Sequence, residues 1–598
     1  MRVADYIFKF LADQGVKHVF TVTGGGAMFL NDALGKEKRL DYICNLHEQA
    51  CAIAAEGYAR VTGRAGVICV TTGPGGTNAI TGVTGAWLDS IPMIIISGQV
   101  KFSTTVASCP ELNLRQLGDQ ELNIVDIVRP ITKYAAMVTE PEKIGEELLK
   151  AWALCHSGRP GPVWLDIPHN VQNAELPDDC FIPQAVIPEP AEIPGGKIDE
   201  AIAALKKSHR PAIIAGIGIH HAKAEKQLLD FAEKYRIPVL TAISGADLIP
   251  SDHRLFFGRP GILGERAANF IMQNCDCLLV LGTRMSMRII GFAYEYIARA
   301  ACRIMVDIDP AELEKPTFKP HLKIAGDCGK FLAALAEKSP VMPEHEQWLA
   351  YCRKVKERYP VITADHRAEK RYVSSYVFPE IVSNNCRGDE IIVTGNGIAY
   401  TSTFQTFPVK NNMRMFANVA CASMGYGLPA ALGATFAAPE KRVICFTGDG
   451  SIQMNIQELQ TVKNHNPDLK IFVYNNEGYL SIKLTQKAFF NGRMVGSEKS
   501  SGIELPDLEK IAAAYGLPFF RLKNHQEAEE LLPEIMNTPG AVIIEVMTDP
   551  WEIPTPKAAS KQLPDGKIVS APLEDMYPFL DREEFLSNML IEPLPEEF

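Results

Sequence analysis

An aspartate between two glycines closes the apolar run Arg442–Thr447 in "KRVICFTGDGSIQMN", and a second apolar run, "LKIFVYNNEG", ends on the pair Asn475–Asn476. Gly-Asp-Gly alone is ordinary turn chemistry, because glycine tolerates positive φ and aspartate bonds its own backbone. Asp449 could equally cap a helix that starts near Ser451. The second run changes that balance. Two neighbouring parallel strands would deliver Asp449 and Asn476 to the same sheet edge. A carboxylate oxygen, an amide oxygen and the Gly478 carbonyl form a hard oxygen set suited to Mg²⁺, which keeps positions open for phosphate oxygens. Gly448, Gly450 and Ser451 flank the carboxylate, and the N–H groups of a helix opening after Gly450 would face a diphosphate.

Such a site needs strands that end together. Runs such as "AGVICVTTGPGG", "IPMIIISGQ", "PAIIAGIGI", "CDCLLVLGTR", "CRIMVDIDP" and "EIIVTGNG" alternate with amphipathic helical stretches along the chain. Apolar on both faces, they read as central strands of parallel sheets, and ligands in such folds bind at the carboxyl ends of the strands. The proline-rich stretch "FIPQAVIPEPAEIPGGK" (Phe181 to Lys197) predicts an extended linker, and "EKSPVMPEHE" (Glu337 to Glu346) a second break. Three parallel-sheet α/β domains follow, at 1–185, 190–340 and 365–550, with a C-terminal tail at 551–598 that reads as a solvated, surface-hugging extension.

The chain has 598 residues, 46% of them apolar and 22% charged, with a formal net charge of −11. The acidic balance argues against nucleic acid as a main partner. The N-terminus alternates charged and apolar residues at helical spacing, unlike a signal peptide, and no apolar stretch reaches membrane-spanning length. The 14 cysteines are scattered through apolar runs, and Cys275 and Cys277 have no second pair to complete a zinc site. Free thiols in a reducing cytoplasm are expected.

"TGDGSIQMN…YNNEGY" resembles the diphosphate-binding motif of thiamine diphosphate (ThDP) enzymes. "LHEQACAIAAEGYARVTG", "TTGPGGTNAITG", "DSIPMIIISGQ", "SGRPGPVWLDIP" and "SMGYGLPAALGA" extend the similarity over about the first 550 residues, toward the acetolactate synthase large-subunit group. The resemblance implies that Asp449, Asn476 and the Gly478 carbonyl bind the metal. It implies that Glu48 in "NLHEQACAIAA" is the acid that activates the cofactor through pyrimidine N1′. That acid must keep its proton near neutrality, which the apolar run Ala50–Ala55 favours. By the same resemblance, Met424 wedges ThDP into a V shape and the Ala422 carbonyl holds its amino group. Pro74 and Asn78 match pyrimidine contacts, Gly25 a backbone loop near the reacting centre, and Gln120 a glutamine that reaches the active site.

In the middle unit, Gly216 and Gly218 ("GIGIHHA"), Arg284, Asp307, Ile308 and Asp327 resemble the FAD-binding positions of acetolactate synthases and pyruvate oxidases, as does Arg159 in "SGRPGPV". An acid at a strand end can bond ribose hydroxyls and an arginine can pair with a diphosphate, so another adenine nucleotide would satisfy much of the set. Arg288 matches the arginine that binds the keto acid. Two positions depart from the group: its tryptophan falls on Thr485 and its phenylalanine on Asp119, which predicts a wider, more polar acceptor pocket. The tail and "QKAFFNGRMVGS" look instead like flavin-containing ThDP carboligases of bacterial sugar and O-antigen clusters. The reading is a ThDP-, Mg²⁺- and FAD-binding carboligase that decarboxylates pyruvate and passes the acetyl unit to a second carbonyl substrate, a nucleotide-linked keto sugar. The alternative is an acetolactate synthase condensing two pyruvates. In the family the two halves of each site come from different subunits, which implies a homodimer or homotetramer.

Overall fold

The structure, a computed structural model, describes residues 1–177, 182–368, 371–562 and 568–594. Phe181 of the linker and tail positions 563–567 and 595–598 lie outside the described residues. Three parallel sheets carry the fold. The first contains His18–Thr21 (β1), Asp41–Cys44 (β2), Gly66–Val70 (β3), Met93–Gln99 (β4), Tyr134–Met137 (β5) and Pro162–Pro168 (β6), in the order β2-β1-β3-β4-β6-β5. The second contains Pro211–Ala215 (β7), Val239–Thr241 (β8), Cys277–Leu281 (β9), Cys302–Asp307 (β10) and Leu322–Ala325 (β11), in the order β11-β10-β9-β7-β8. The third contains Ile391–Thr394 (β12), Arg414–Phe416 (β13), Val443–Gly448 (β14), Leu469–Asn475 (β15), Phe519–Leu522 (β16) and Val542–Met547 (β17), in the order β13-β12-β14-β15-β17-β16.

The first and third sheets therefore share one strand order, a repeat of topology that the sequence does not announce. Every residue of β3, β4 and β6 is buried. Helices cover both faces of these strands, which is why their sequences run apolar without alternation. The two outer domains meet through small residues. On helix Glu48–Thr62 a Cβ at Gly57 would lie 2.3 Å from the Ala430 carbonyl, and on helix Gly427–Ala437 a Cβ at Gly433 would lie 1.9 Å from the Ala54 carbonyl. Only glycine lets these two helices touch backbone to backbone.

The tail is not the solvated extension that its sequence suggests. It forms two short antiparallel pairs, Lys557–Ala558 with Met576–Tyr577 and Ser560–Gln562 with Ile568–Ser570, followed by helix Arg582–Ser587. Leu573, Met576 and Phe585 are buried. Glu574, 1% exposed, accepts from Gln273 at 2.5 Å and from Arg299 at 2.6 Å. Its apolar residues are few and irregularly spaced, so no periodicity reveals the face that docks on the middle domain. The thirteen described cysteines are free. Among the described residues no helix is long and apolar enough to cross a membrane.

Candidate active site

Strands β14 and β15 pair in parallel with Gly448 opposite Tyr474, so their carboxyl ends place Asp449 beside the Asn476–Gly478 turn. Asp449 Oδ2 accepts the N–H groups of Asn476 and Gly478, each at 3.2 Å, and Oδ1 accepts from Gly450 at 2.8 Å. Asp449 is only 3% exposed, and burial pushes its carboxyl up to about 6 against the pull of those three donors. The side-chain oxygen of Asn476 is buried with no partner. An orphaned amide oxygen next to a buried carboxylate is the donor set that a hard cation completes. Among the described residues no group of three or more His, Cys, Asp or Glu is placed to hold a metal ion. The glycines of Gly-Asp-Gly differ in purpose. A Cβ on Gly450 would strike the Tyr479 ring at 2.2 Å, whereas one on Gly448 would meet nothing closer than 4.0 Å. The helix starts at Asp449 itself and spans only Asp449–Ile452.

Ser451 ties this half to the loop carrying Met424. Its hydroxyl accepts from the Gly425 N–H at 3.0 Å, and Asn455 Nδ2 donates to the Gly425 carbonyl at 2.9 Å. Ala422 and Met424 are half-buried on that loop. A buried lysine that sequence reasoning passed over, Lys483, donates to the Asn476 carbonyl at 2.8 Å. Its only signal is a charge on the inner face of helix Leu480–Phe489.

The other half gathers on the first sheet. Glu48 opens its helix behind the N-cap His47, whose Nδ1 accepts from the Gln49 N–H at 3.1 Å. Asn78 Nδ2 donates to Glu48 Oε2 at 3.0 Å. Both residues lie on helices that follow strands, Glu48 at the start of its helix after β2 and Asn78 in the second turn of helix Pro74–Asp89 after β3. A Cβ on Gly75 would sit 3.7 Å from Glu48 Oε1, which puts Pro74, Asn78 and Glu48 in one patch. The Gln120 carbonyl lies against Gly73, 2.6 Å from where a Cβ would be, while the Gln120 side chain is exposed. Gly24 and Gly26 are pressed onto Thr71 and Thr72, but a Cβ on Gly25 would meet nothing within 4 Å. Gly25 therefore faces open space beside these residues.

A cavity of about 1510 Å³ opens where the three domains meet. Arg159, Gly218, Arg284, Arg288, Asp307, Ile308 and Asp327 all line it. Its size exceeds an ordinary small-molecule pocket of about 300–1,000 Å³ and suits an extended dinucleotide. Gly216 is not on the wall; a Cβ there would lie 2.5 Å from Thr283 Cβ, so its glycine serves loop packing. Arg159 Nη1 is held by Asp309 at 3.1 Å and Glu312 at 2.8 Å. Arg288 stacks its guanidinium over Tyr400, 5.4 Å from the ring centre. Asp327 accepts from the Lys330 N–H at 3.0 Å as the cap of helix Cys328–Lys338.

Burial pushes the Asp307 carboxyl up to about 6, although Asp309 N–H donates to it at 2.9 Å. A carboxyl held above its ordinary 3.8 binds its proton more tightly in the folded chain than in the unfolded one. Its contribution to stability is complete below about pH 4 and is lost as the pH rises through about 6. Above that the charged form costs about 3 kcal/mol, some two units at 1.36 kcal/mol each. Asp307→Asn is therefore expected to stabilise the cofactor-free protein by about 2–3 kcal/mol at pH 8 and far less at pH 4, measured by urea unfolding. Equal effects at both pH values would contradict this assignment.

Comparison with known proteins agrees with this geometry. Three family models match: thiamine pyrophosphate enzyme, N-terminal TPP binding domain, over residues 1–126; the central domain over 198–335; and the C-terminal TPP binding domain over 395–546. The chain belongs to the thiamine pyrophosphate (ThDP) enzyme family. Acetolactate synthase isozyme 1 large subunit of Escherichia coli is 33% identical, covering 92% of this chain and 94% of that protein. The acetolactate synthase large subunit of Lactococcus lactis is 32% identical over 90% and 91%. The probable acetolactate synthase large subunit of Methanocaldococcus jannaschii is 34% identical over 92% and 93%. Within the family this is an enzyme of acetolactate synthase type.

Proposed function

We propose that the enzyme decarboxylates pyruvate and transfers the two-carbon acetyl unit to a second carbonyl compound, a nucleotide-linked keto sugar. Bound ThDP supplies the electron sink for losing CO₂. The orphaned Asn476 oxygen beside Asp449 is the observation that carries the reading, since it gives the diphosphate its cation. In this reading Asp449, Asn476 and the Gly478 carbonyl hold Mg²⁺, Glu48 holds the proton at pyrimidine N1′ with Asn78 orienting it, and Gly25 and Gln120 flank the reacting centre. FAD fills the cavity at the domain junction, with Asp307 as the acid for its ribose.

The acceptor assignment rests on Thr485 and Asp119, which are both exposed. Short and polar where the family has large aromatic rings, they suit a hydroxyl-rich substrate. A second reading, condensation of two pyruvates, is favoured by Arg288, whose guanidinium is free of carboxylate partners among the described residues and lines the cavity. The names of the relatives favour it equally. The site halves are taken from different copies of the chain. Exposed Leu46 and Met454, close to the helix that carries Glu458, fit a face covered by a second copy.

Product analysis by mass spectrometry separates the two readings. The enzyme is incubated with ThDP, Mg²⁺, FAD and pyruvate, with and without a panel of nucleotide-linked 4-keto sugars. A sugar product heavier by the mass of pyruvate less CO₂, with the acetyl group on the former carbonyl carbon and a hydrogen on its oxygen, is the expected result. Rapid acetolactate formation from pyruvate alone, indifferent to every sugar, would make the second reading correct.

A further inference from the structure

The loop carrying Ala422 and Met424 is gripped from the first domain by a buried charge cluster that the reading above leaves unused. Arg60 Nη2 donates to Glu56 Oε1 at 2.5 Å and to Asp89 Oδ2 at 2.7 Å, and all three residues are buried. Asp89 also reaches into the third domain, accepting the N–H groups of Val419 at 2.8 Å and Ala420 at 3.2 Å. Asn418, 1% exposed, spans the same junction. Its Nδ2 donates to Glu56 Oε1 at 3.2 Å, and its Oδ1 accepts from the Ala422 N–H at 3.0 Å. Ala422 sits at φ +54°, a left-handed conformation that a residue with a Cβ adopts only under constraint. The next carbonyl, of Ser423, is taken by Asn396 Nδ2 at 2.8 Å, while among the described residues no donor reaches the Ala422 carbonyl.

We propose that Asn418 is a positioning residue for the reaction: anchored on Glu56, its side chain holds the Ala422 N–H, fixes the left-handed turn and keeps the Ala422 carbonyl available to the amino group of the cofactor. The inference rests on the reading of Ala422 as the acceptor of that amino group. Strained backbone persists where its surroundings over-determine it, and here the Asn418 hydrogen bond does so. A glycine would take the same φ unaided. The need for Asn418 should therefore disappear when Ala422 is replaced by glycine, a coupling that simple destabilisation would not produce.

The test measures hydrogen–deuterium exchange at C2 of bound ThDP by acid quench and proton NMR, with ThDP affinity measured separately by calorimetry. Asn418→Ala is expected to slow C2 exchange about tenfold, the scale of one lost buried hydrogen bond. The double variant Asn418→Ala/Ala422→Gly is expected to recover to within about threefold of the parent. In the cofactor-free protein, Asn418→Ala should also speed amide exchange of the peptide spanning Ala420–Ser423, read by mass spectrometry. Exchange at C2 that is unchanged, or slowed without rescue by Ala422→Gly, would overturn the proposal. If Asn418→Ala does not fold, Asn418→Ser, one bond shorter, takes its place under the same criteria. Glu48→Gln serves as the control. If it leaves C2 exchange intact, the cofactor reading itself has failed; if it stops exchange while Asn418 variants do nothing, only the positioning role has failed.

Discussion

Glu48→Gln abolishes CO₂ release from pyruvate, with an expected fall of about three orders of magnitude, the range that a lost acid–base group commands. The substitution is nearly isosteric. A glutamine oxygen can still accept the Asn78 amide now bonded to Glu48 Oε2 at 3.0 Å, so local packing survives. What disappears is a carboxylic proton that can be shared with a ring nitrogen. The stability change should be small. Glu48 stands at the first position of its helix, where a charge gains only about 0.3–1 kcal/mol from the dipole. ThDP affinity by calorimetry and the unfolding midpoint should therefore stay near the parent values while turnover collapses. Turnover within tenfold of the parent would remove Glu48 from its role.

The contrast between Glu48 and Asn418 shows what the sequence could carry. Strand runs such as "VICFTG" are short, apolar and closed by glycine, so the parallel sheets and the edge where Asp449 meets Asn476 were legible from pattern alone. Glu48 is singled out only by its motif, because a lone glutamate in a first helical turn has an ordinary explanation. Its partner Asn78 and the cavity uniting Arg159 with Asp307 follow from strands placed side by side, which the motifs implied without showing. The Glu56–Arg60–Asp89 cluster was hidden. Its charges look like an exposed i,i+4 pair and a helix-end aspartate, and only the crossing of two domains buries them against Asn418. The docked tail is hidden for the same reason: Glu574 reads as a surface acid until Arg299 and Gln273 of the middle domain enclose it. Signals local in the chain were readable, and contacts made by docking were not.

Asp449→Ala is expected to weaken Mg²⁺-dependent ThDP binding by more than about a hundredfold, since changes to mere outer-shell partners of a metal already cost 10–100-fold. Its effect on stability combines a relieved buried charge with three lost hydrogen bonds. Burial holds the Asp449 carboxyl near 6, so above that pH the cofactor-free chain carries a charge at a cost, offset by three backbone N–H donors. Removing the carboxylate leaves those donors unsatisfied, whereas Asp449→Asn keeps one oxygen for the Asn476 and Gly478 N–H groups and relieves the charge, which offsets the acceptor lost to the Gly450 N–H. The conservative variant should thus unfold no more easily than the parent at pH 8, yet still lose most of its cation affinity. The two readouts move apart only if the carboxylate is there for an ion. The parent should show the same competition with protons: as the pH falls through about 6, Asp449 protonates and Mg²⁺ affinity drops, approaching tenfold per unit below that point. Calorimetric titration of ThDP at fixed Mg²⁺ across pH 5 to 8, in the parent and Asp449→Asn, measures both effects. Cation-dependent ThDP binding that survives in Asp449→Asn and is flat with pH would place the ion elsewhere and leave the orphaned Asn476 oxygen without its explanation.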